Sequence, residues 1–396
     1  MTESTTKPSV GRVVFVAHSG QVSGAEKVML DLARQALRDG HDVTVACPAG
    51  PLVDRLPPTV EHLAIDHLGL TGESGAARIA GGARLVARWF RTGRRLRAAA
   101  AEPGVAVVVN SLNALPAARI AAGPRGVSWL VHDTVITGRQ RGVIRLARGG
   151  IRRAVAVSDA TARPLRALHL PVVVRHNGVT WPVDALPEVL HTPPVVGMLA
   201  LLTPWKGHRV LLDAVAELPG VRVEFAGGHF PGDVDHVAAL RARAAEPDLD
   251  GRVEFLGHLD LCEALRRFDI VSASVEPEAG PLSVLEAMAY GRPVIGTDHG
   301  GTTEFLADDA GVLVPPCDPV AMARAISQVL SDPTLRADVV AGARRRVAQH
   351  HDLSVTVPAM LGALIARPHA RFTSGRGVAV RRSPASSIVM LGKFSV

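Results

Sequence analysis

Short valine-rich runs, each ending in a polar or glycine-bearing loop, constrain this chain more than any other feature. Val13-Val-Phe-Val16 is apolar throughout, which suits a strand buried on both faces of a parallel sheet. The loop His18-Ser-Gly-Gln-Val-Ser-Gly24 follows it. A helical pattern then runs from about Ala25 to Asp39, with Val28, Met29, Leu32, Ala33, Ala36 and Leu37 on one broad face. Gly40 is placed to end that helix, and Asp42-Val-Thr-Val-Ala46 is the next strand. This is a β-α-β opening. Further strands are predicted at Val105–Val109, Val127–Val131, Ala154–Val157 and Val172–Val174. All lie in residues 10–180, which make one doubly wound α/β domain.

The stretch from His176-Asn-Gly-Val179 through Trp181 to Pro194 reads as a linker. A second α/β pattern begins with the strand Val195-Val-Gly-Met198. A helix from Val210 to Leu218 stops at Pro219-Gly220. Val221-Arg-Val-Glu-Phe225, Arg252-Val-Glu-Phe-Leu256 and Asp269-Ile-Val-Ser-Ala273 are strands, the last leading into a Glu-rich loop. Residues 181–350 therefore form a second domain. Two such domains facing each other would bind ligands at the C-terminal ends of strands from both halves.

At 396 residues the chain has length for two cores. No apolar run approaches the ~20 residues of a membrane span, and Met1 to Ser9 lacks a secretory apolar segment. Cys47, Cys262 and Cys317 are too scattered for a disulfide framework or a zinc site. Cys47 reads as a buried strand residue, and a cytoplasmic location follows. The net charge of +7 is unevenly spread. Residues 1–180 carry 24 Lys and Arg against 12 Asp and Glu, and residues 181–352 carry 14 against 25. Residues 353–396 carry six against none, so the tail 367–396 is expected to be basic and disordered. Sign asymmetry of this kind marks a surface for an acidic partner.

The richest motif runs from Glu276 to Gly301. It places Glu278 in a Gly/Pro loop and Glu286 eight positions later, one turn inside a short helix. The unpaired amides of such a helix start suit a phosphate, and the two carboxylates would clamp the hydroxyls of a nucleotide sugar. Ser283 and Glu286 also form an S-x-x-E pattern, in which Glu286 would simply cap its own helix.

The longer string resembles the E-x7-E motif of retaining GT-B glycosyltransferases of family 4, and the resemblance covers about residues 11–350. It implies two facing Rossmann-like domains with a cleft between them. It also implies that residues 351–366 form a crossover helix back to the first, acceptor-binding domain. Ser23-Gly-Ala-Glu-Lys-Val-Met-Leu is similar to the family's first loop and helix, with Gly20, Ser23 and Gly24 on the acceptor side and Gly24 also near the donor phosphate. Gly20 and Gly24 also fit a plain tight turn. Val131-His-Asp-Thr resembles the family's His at a strand end, which makes His132 a contact to the donor sugar, although a lone His is often structural. Pro204-Trp-Lys-Gly-His208 is similar to the Lys-Gly element whose lysine neutralises the leaving diphosphate. Only four Lys stand against forty Arg, so Lys206 hints that a compact charge is wanted there; an ordinary surface lysine is the alternative. Gly257 falls where the family contacts the base. Gly280, Leu282 and Ser283 fall beside the sugar and phosphates, and Gly300-Gly301 in the loop that closes the nucleotide site.

Two positions depart from the family. Five residues before the Lys, where the family commonly has a phosphate-binding Arg, stands Leu201. The loop after the first Glu commonly reads Gly-Phe-Gly, but here it is Ala279-Gly280-Pro281, and Pro281 has no amide hydrogen to donate. Asp233-Val-Asp235 matches a metal-binding D-x-D pattern, but the resemblance implies no metal and no cofactor.

Seven arginines and no acid lie between Glu73 and Glu102, interleaved with Leu85, Val86, Trp89, Phe90 and Leu96. A second acid-free stretch from Thr134 to Ser158 carries six more. Basic amphipathic helices of this kind lie on anionic membrane, or present an ordinary solvated face. No nucleic-acid module appears, and aromatics total only 4%. The function implied is transfer of a sugar from a nucleoside diphosphate to an acceptor hydroxyl. Polysaccharide, lipid-linked and secondary-metabolite acceptors all fit. An epimerase or hydrolase on the same fold would need a carboxylate dyad at the sugar ring, which the sequence does not place. Leu201 and Pro281 support another reading, a catalytically weak protein that binds membrane or polyanion.

Overall fold

The computed structural model describes residues 11–69, 76–135, 137–182, 185–188, 190–273 and 278–366. Two all-parallel sheets organise them. The first holds β1 (Arg12–Val16), β2 (Asp42–Cys47), β3 (Glu61–Ala64), β4 (Ala106–Val109), β5 (Val127–Val131), β6 (Ile151–Ala156) and β7 (Val172–Val174). Their order is β3-β2-β1-β4-β5-β6-β7. The second holds β8 (Val195–Leu199), β9 (Arg222–Ala226), β10 (Val253–Gly257), β11 (Ile270–Ser272), β12 (Val294–Thr297) and β13 (Val312–Val314). Their order is β10-β9-β8-β11-β12-β13. Both are Rossmann-like, and the chain order reverses between β1 and β4 and between β8 and β11. Ligands bind outside the strand ends at such reversals.

Strand β1 shows why a valine-rich run becomes a central strand. Val14 and Val16 enter one core layer with Trp89, Leu115 and Trp129. Val13 and Phe15 enter the opposite layer with Met29, Leu32 and Met360. Because successive side chains alternate across the pleat, a sheet covered on both faces needs apolar residues at every position. The first helix runs Gly24–Arg38, and Gly40 takes the left-handed conformation (φ 82°) just past its end. Cys47 is buried in β2, and burial pushes its thiol up to about 11.

Strands β3 and β13 have no counterpart in the sequence reading. Each is a short edge strand with at most one fully buried residue; EHLA is half polar, and VLV is apolar but only three residues long. The predicted helix Val210 to Leu218 starts and ends two residues earlier, as His208–Ala216.

Helix Leu353–Ile365 crosses back to the first sheet, burying Val357, Met360, Leu361 and Leu364 in the layer that holds Phe15. Ser128 Oγ donates to Leu364 O at 2.5 Å and Arg153 Nη1 to Ala363 O at 2.7 Å. These contacts satisfy carbonyls that a helix end leaves open. The tail 367–396 lies outside the described residues.

Candidate active site

A cleft of about 600 Å³ opens between the two sheets. Every segment lining it leaves the C-terminal end of a strand: residues 22–27 follow β1, 132–134 follow β5, 199–201 follow β8 and 278–286 follow β11. Of the residues singled out from sequence, Ser23, Gly24, His132, Lys206, Glu278, Gly280, Leu282, Ser283 and Glu286 line it together.

Gly20 and Gly257 are not among the lining residues. A Cβ at Gly20 would stand 2.5 Å from Ala49 O, and Gly20 O accepts from Leu52 N at 2.9 Å, so this glycine lets two loops pack closely. Gly257 ends β10 at φ 67° and accepts from Gly227 N at 2.7 Å; its neighbour His258 reaches the cleft instead. Gly300 and Gly301 start the helix Gly300–Phe305 rather than line the cleft. Gly301 N donates to Glu278 O at 2.7 Å, and a Cβ there would stand 2.3 Å from Ala279 O. They buttress the loop that carries Glu278.

The capping alternative for Glu286 fails on geometry. Helix Leu282–Ala289 starts one residue before Ser283, with Pro281 at the N-cap and no side-chain cap. Glu286 therefore lies a full turn inside, too far along to reach the first amides. Its carboxylate lines the cleft with Lys27 Nζ 3.8 Å away. Burial raises its pKa, and Lys27 opposes the rise. A capping box does occur at Ser23, where Glu26 Oε2 accepts from Ser23 N at 3.1 Å and from Ser23 Oγ at 2.5 Å.

Lys206 forms an ion pair with Glu278, and both side chains are largely buried. Burial pulls the lysine down to about 8, while the carboxylate beside it favours the charged form. At neutral pH the ammonium persists. Leu201, where the family commonly has Arg, lines the same cleft.

His132 Nε2 lies 3.0 Å from Asn110 Oδ1. Asn110 Nδ2 donates to Ala25 O at 3.3 Å, which orients the amide so that its oxygen accepts from His132. Burial holds His132 down to about 4, so the ring is neutral near pH 7, with Nδ1 as its acceptor. Asn177, read from sequence as part of the linker, lines the cleft and donates to Gly280 O at 2.9 Å. Neither asparagine carried a signal in the sequence beyond being polar beside apolar strand ends.

Asp233 and Asp235 sit at the start of helix Val234–Ala244. Among the described residues no cluster of His, Cys, Asp and Glu has the arrangement to hold a metal ion.

Residues 22–180 match the model of Glycosyltransferase Family 4, and residues 187–346 that of Glycosyl transferases group 1. Over 389 residues the chain is 33% identical to the phosphatidyl-myo-inositol mannosyltransferase of Mycolicibacterium smegmatis, spanning 92% of this chain and 94% of that one. The chain belongs to glycosyltransferase family 4. This glycosyltransferase is also 33% identical, over 48% of its length and 45% of the relative's, to a D-inositol 3-phosphate glycosyltransferase of Stackebrandtia nassauensis. Among solved structures, Anabaena HepE in complex with UDP and glucose matches with a TM-score of 0.73 at 23% identity, over 89% of this chain and 98% of that one. WaaG, a glycosyltransferase involved in lipopolysaccharide biosynthesis, matches at 0.67 and 15% identity, over 89% and 99%. The fold is GT-B, as the family resemblance implied, and the reading as a catalytically weak scaffold is not favoured.

Proposed function

We propose that this glycosyltransferase moves a sugar from a nucleoside diphosphate to an acceptor hydroxyl, with retention at the anomeric carbon and without a metal ion. The observation that carries the reading is the convergence of Glu278, Glu286 and Lys206 on one cleft, with the start of helix Leu282–Ala289 beside them. The presence of UDP and glucose in HepE supports the donor class. The two relatives named for inositol-containing molecules support a polyol hydroxyl as acceptor.

As the bond from the anomeric carbon to the phosphate oxygen breaks, negative charge grows on the diphosphate. Lys206 and the free amides of Leu282 and Ser283 stabilise it, and being already in place they need no reorganisation. Glu278 accepts hydrogen bonds from the sugar hydroxyls and Glu286 from the ribose. Neutral His132 orients sugar and acceptor through Nδ1. The acceptor proton passes to the leaving phosphate oxygen on the same face of the ring, so no protein nucleophile is required.

The arginine-rich helix Ala76–Ala99 buries Leu85, Trp89 and Leu96 against the sheet and leaves Val86 and Phe90 exposed at 43% and 58%. Exposed Leu146 lies on the second basic helix, Gly138–Ala147. Apolar tips among arginines support contact with an anionic membrane, and a lipid-linked acceptor with it. No helix of the described residues is long and apolar enough to cross a membrane.

The test is calorimetric titration of UDP, GDP and ADP into the wild type and into Glu286→Ala. We expect one nucleotide to bind at micromolar affinity and to lose about tenfold or more in the mutant, the scale of a lost charge-assisted hydrogen bond. No binding by the wild type would overturn the reading.

A further inference from the structure

The donor diphosphate meets an unusual set of charges. Among the described residues no arginine lines the cleft, in a chain that has forty. Among the described residues the lysines at its wall are Lys27 and Lys206, and each faces one of the two motif glutamates: Lys206 pairs with Glu278, and Lys27 Nζ lies 3.8 Å from Glu286 Oε1. The two lysines come from different halves of the molecule. Lys27 sits one turn inside helix Gly24–Arg38, and a Cβ at Gly24 would stand 3.6 Å from Leu282 Cδ1. The starts of helices Gly24–Arg38 and Leu282–Ala289 thus abut across the cleft.

We infer that Lys27 is the second cation of the diphosphate site, supplying from the first domain the charge that Leu201 does not supply from the second. This rests on the donor reading above. Glu278, Glu286 and Asp133 line the cleft against two lysines, so it would repel a diphosphate if the lysines stayed on the glutamates. An exchange of partners removes the conflict. The sugar and ribose bring hydroxyl donors, which satisfy the carboxylates, and the phosphate oxygens take the two ammonium groups. Glu286 lies three residues beyond Ser283, about 4.5 Å along the helix axis. A shift of that size is within the swing of a four-carbon lysine stem, and the Lys27 side chain is 54% exposed and has room to move. Because this cation belongs to the first domain, the diphosphate site is complete only while the two domains face each other.

The experiment compares the diphosphate with the bare nucleoside, by calorimetry, on the wild type, Lys27→Met and Lys27→Gln. The nucleotide is the one the wild type binds best among UDP, GDP and ADP. If Lys27 contacts phosphate, both variants lose about tenfold or more in diphosphate affinity and less than threefold for the nucleoside, and the wild-type diphosphate affinity falls more steeply with salt than theirs. Equal losses for diphosphate and nucleoside would make Lys27 only the counter-ion of Glu286 and overturn the inference. Unchanged affinities would do the same, and both results leave the donor reading standing. Absence of any wild-type binding would remove the donor reading and this inference with it.

Discussion

Lys206 sets how the site responds to pH. Burial draws its pKa to about 8, and only the ammonium form attracts a diphosphate. Nucleoside diphosphate affinity is therefore expected to weaken as pH rises through about 8, by about tenfold per unit beyond it, and Lys206→Arg should flatten that slope in a calorimetric pH series. Stability runs the other way. Between about 8 and its ordinary value near 10.5 the unfolded chain binds more protons than the folded one at this residue. Its contribution to stability then rises with pH, and Lys206→Met removes that contribution from a denaturant series at pH 8 to 10. His132, held near 4, stays neutral from pH 5 to 8 and gives the rate no inflection there. Its orientation depends on Asn110, so Asn110→Ala should lower kcat/KM by about tenfold while leaving diphosphate affinity unchanged, which separates sugar positioning from nucleotide binding.

At the scale of elements, the loop 278–281 is held by its neighbours rather than by its own sequence. Gly301 supports it from helix Gly300–Phe305 and Asn177 from the chain after β7. A methyl group at Gly301 would meet Ala279 O, so Gly301→Ala must push the loop outward. The expected result is a raised donor KM with a stability loss of about 1–3 kcal/mol, read by steady-state kinetics and thermal unfolding. Helix Leu353–Ile365 is a second such dependence, because it completes a core layer far away in sequence. Leu361, 1% exposed, is expected to cost about 2–5 kcal/mol when replaced by Ala, with unfolding of the first domain shifted and nucleotide affinity unchanged.

For the whole molecule, the uneven charge becomes a face. Arg88, Arg95 and Arg97 of helix Ala76–Ala99 donate to backbone carbonyls of neighbouring segments, so part of the basic stretch serves the fold. Arg94 shares the exposed side of the helix with Val86 and Phe90. Phe90→Ala combined with Arg94→Glu should reduce sedimentation with vesicles rich in phosphatidylserine several-fold without altering nucleotide affinity. Equal sedimentation of variant and wild type would reduce the patch to a solvated helix face.

The sequence by itself determined the central strands, the helix after β1 and the spacing of Glu278 and Glu286, because each follows from local periodicity or from residues close along the chain. It left open whether Glu286 caps a helix, since the S-x-x-E pattern is the same in either case. Only the tertiary structure placed the helix start at Leu282 and brought Lys27 from the first domain to its side. It also turned Asn110, Asn177 and Gly301 into supports for the site and moved Gly20 and Gly257 out of it. These roles depend on which strand ends face each other across the cleft, and no local pattern carries that information. Of the four edge strands, β7 and β10 were legible in the sequence and β3 and β13 were not: EHLA is half polar, and what a strand with one neighbour buries is decided by the sheet it joins.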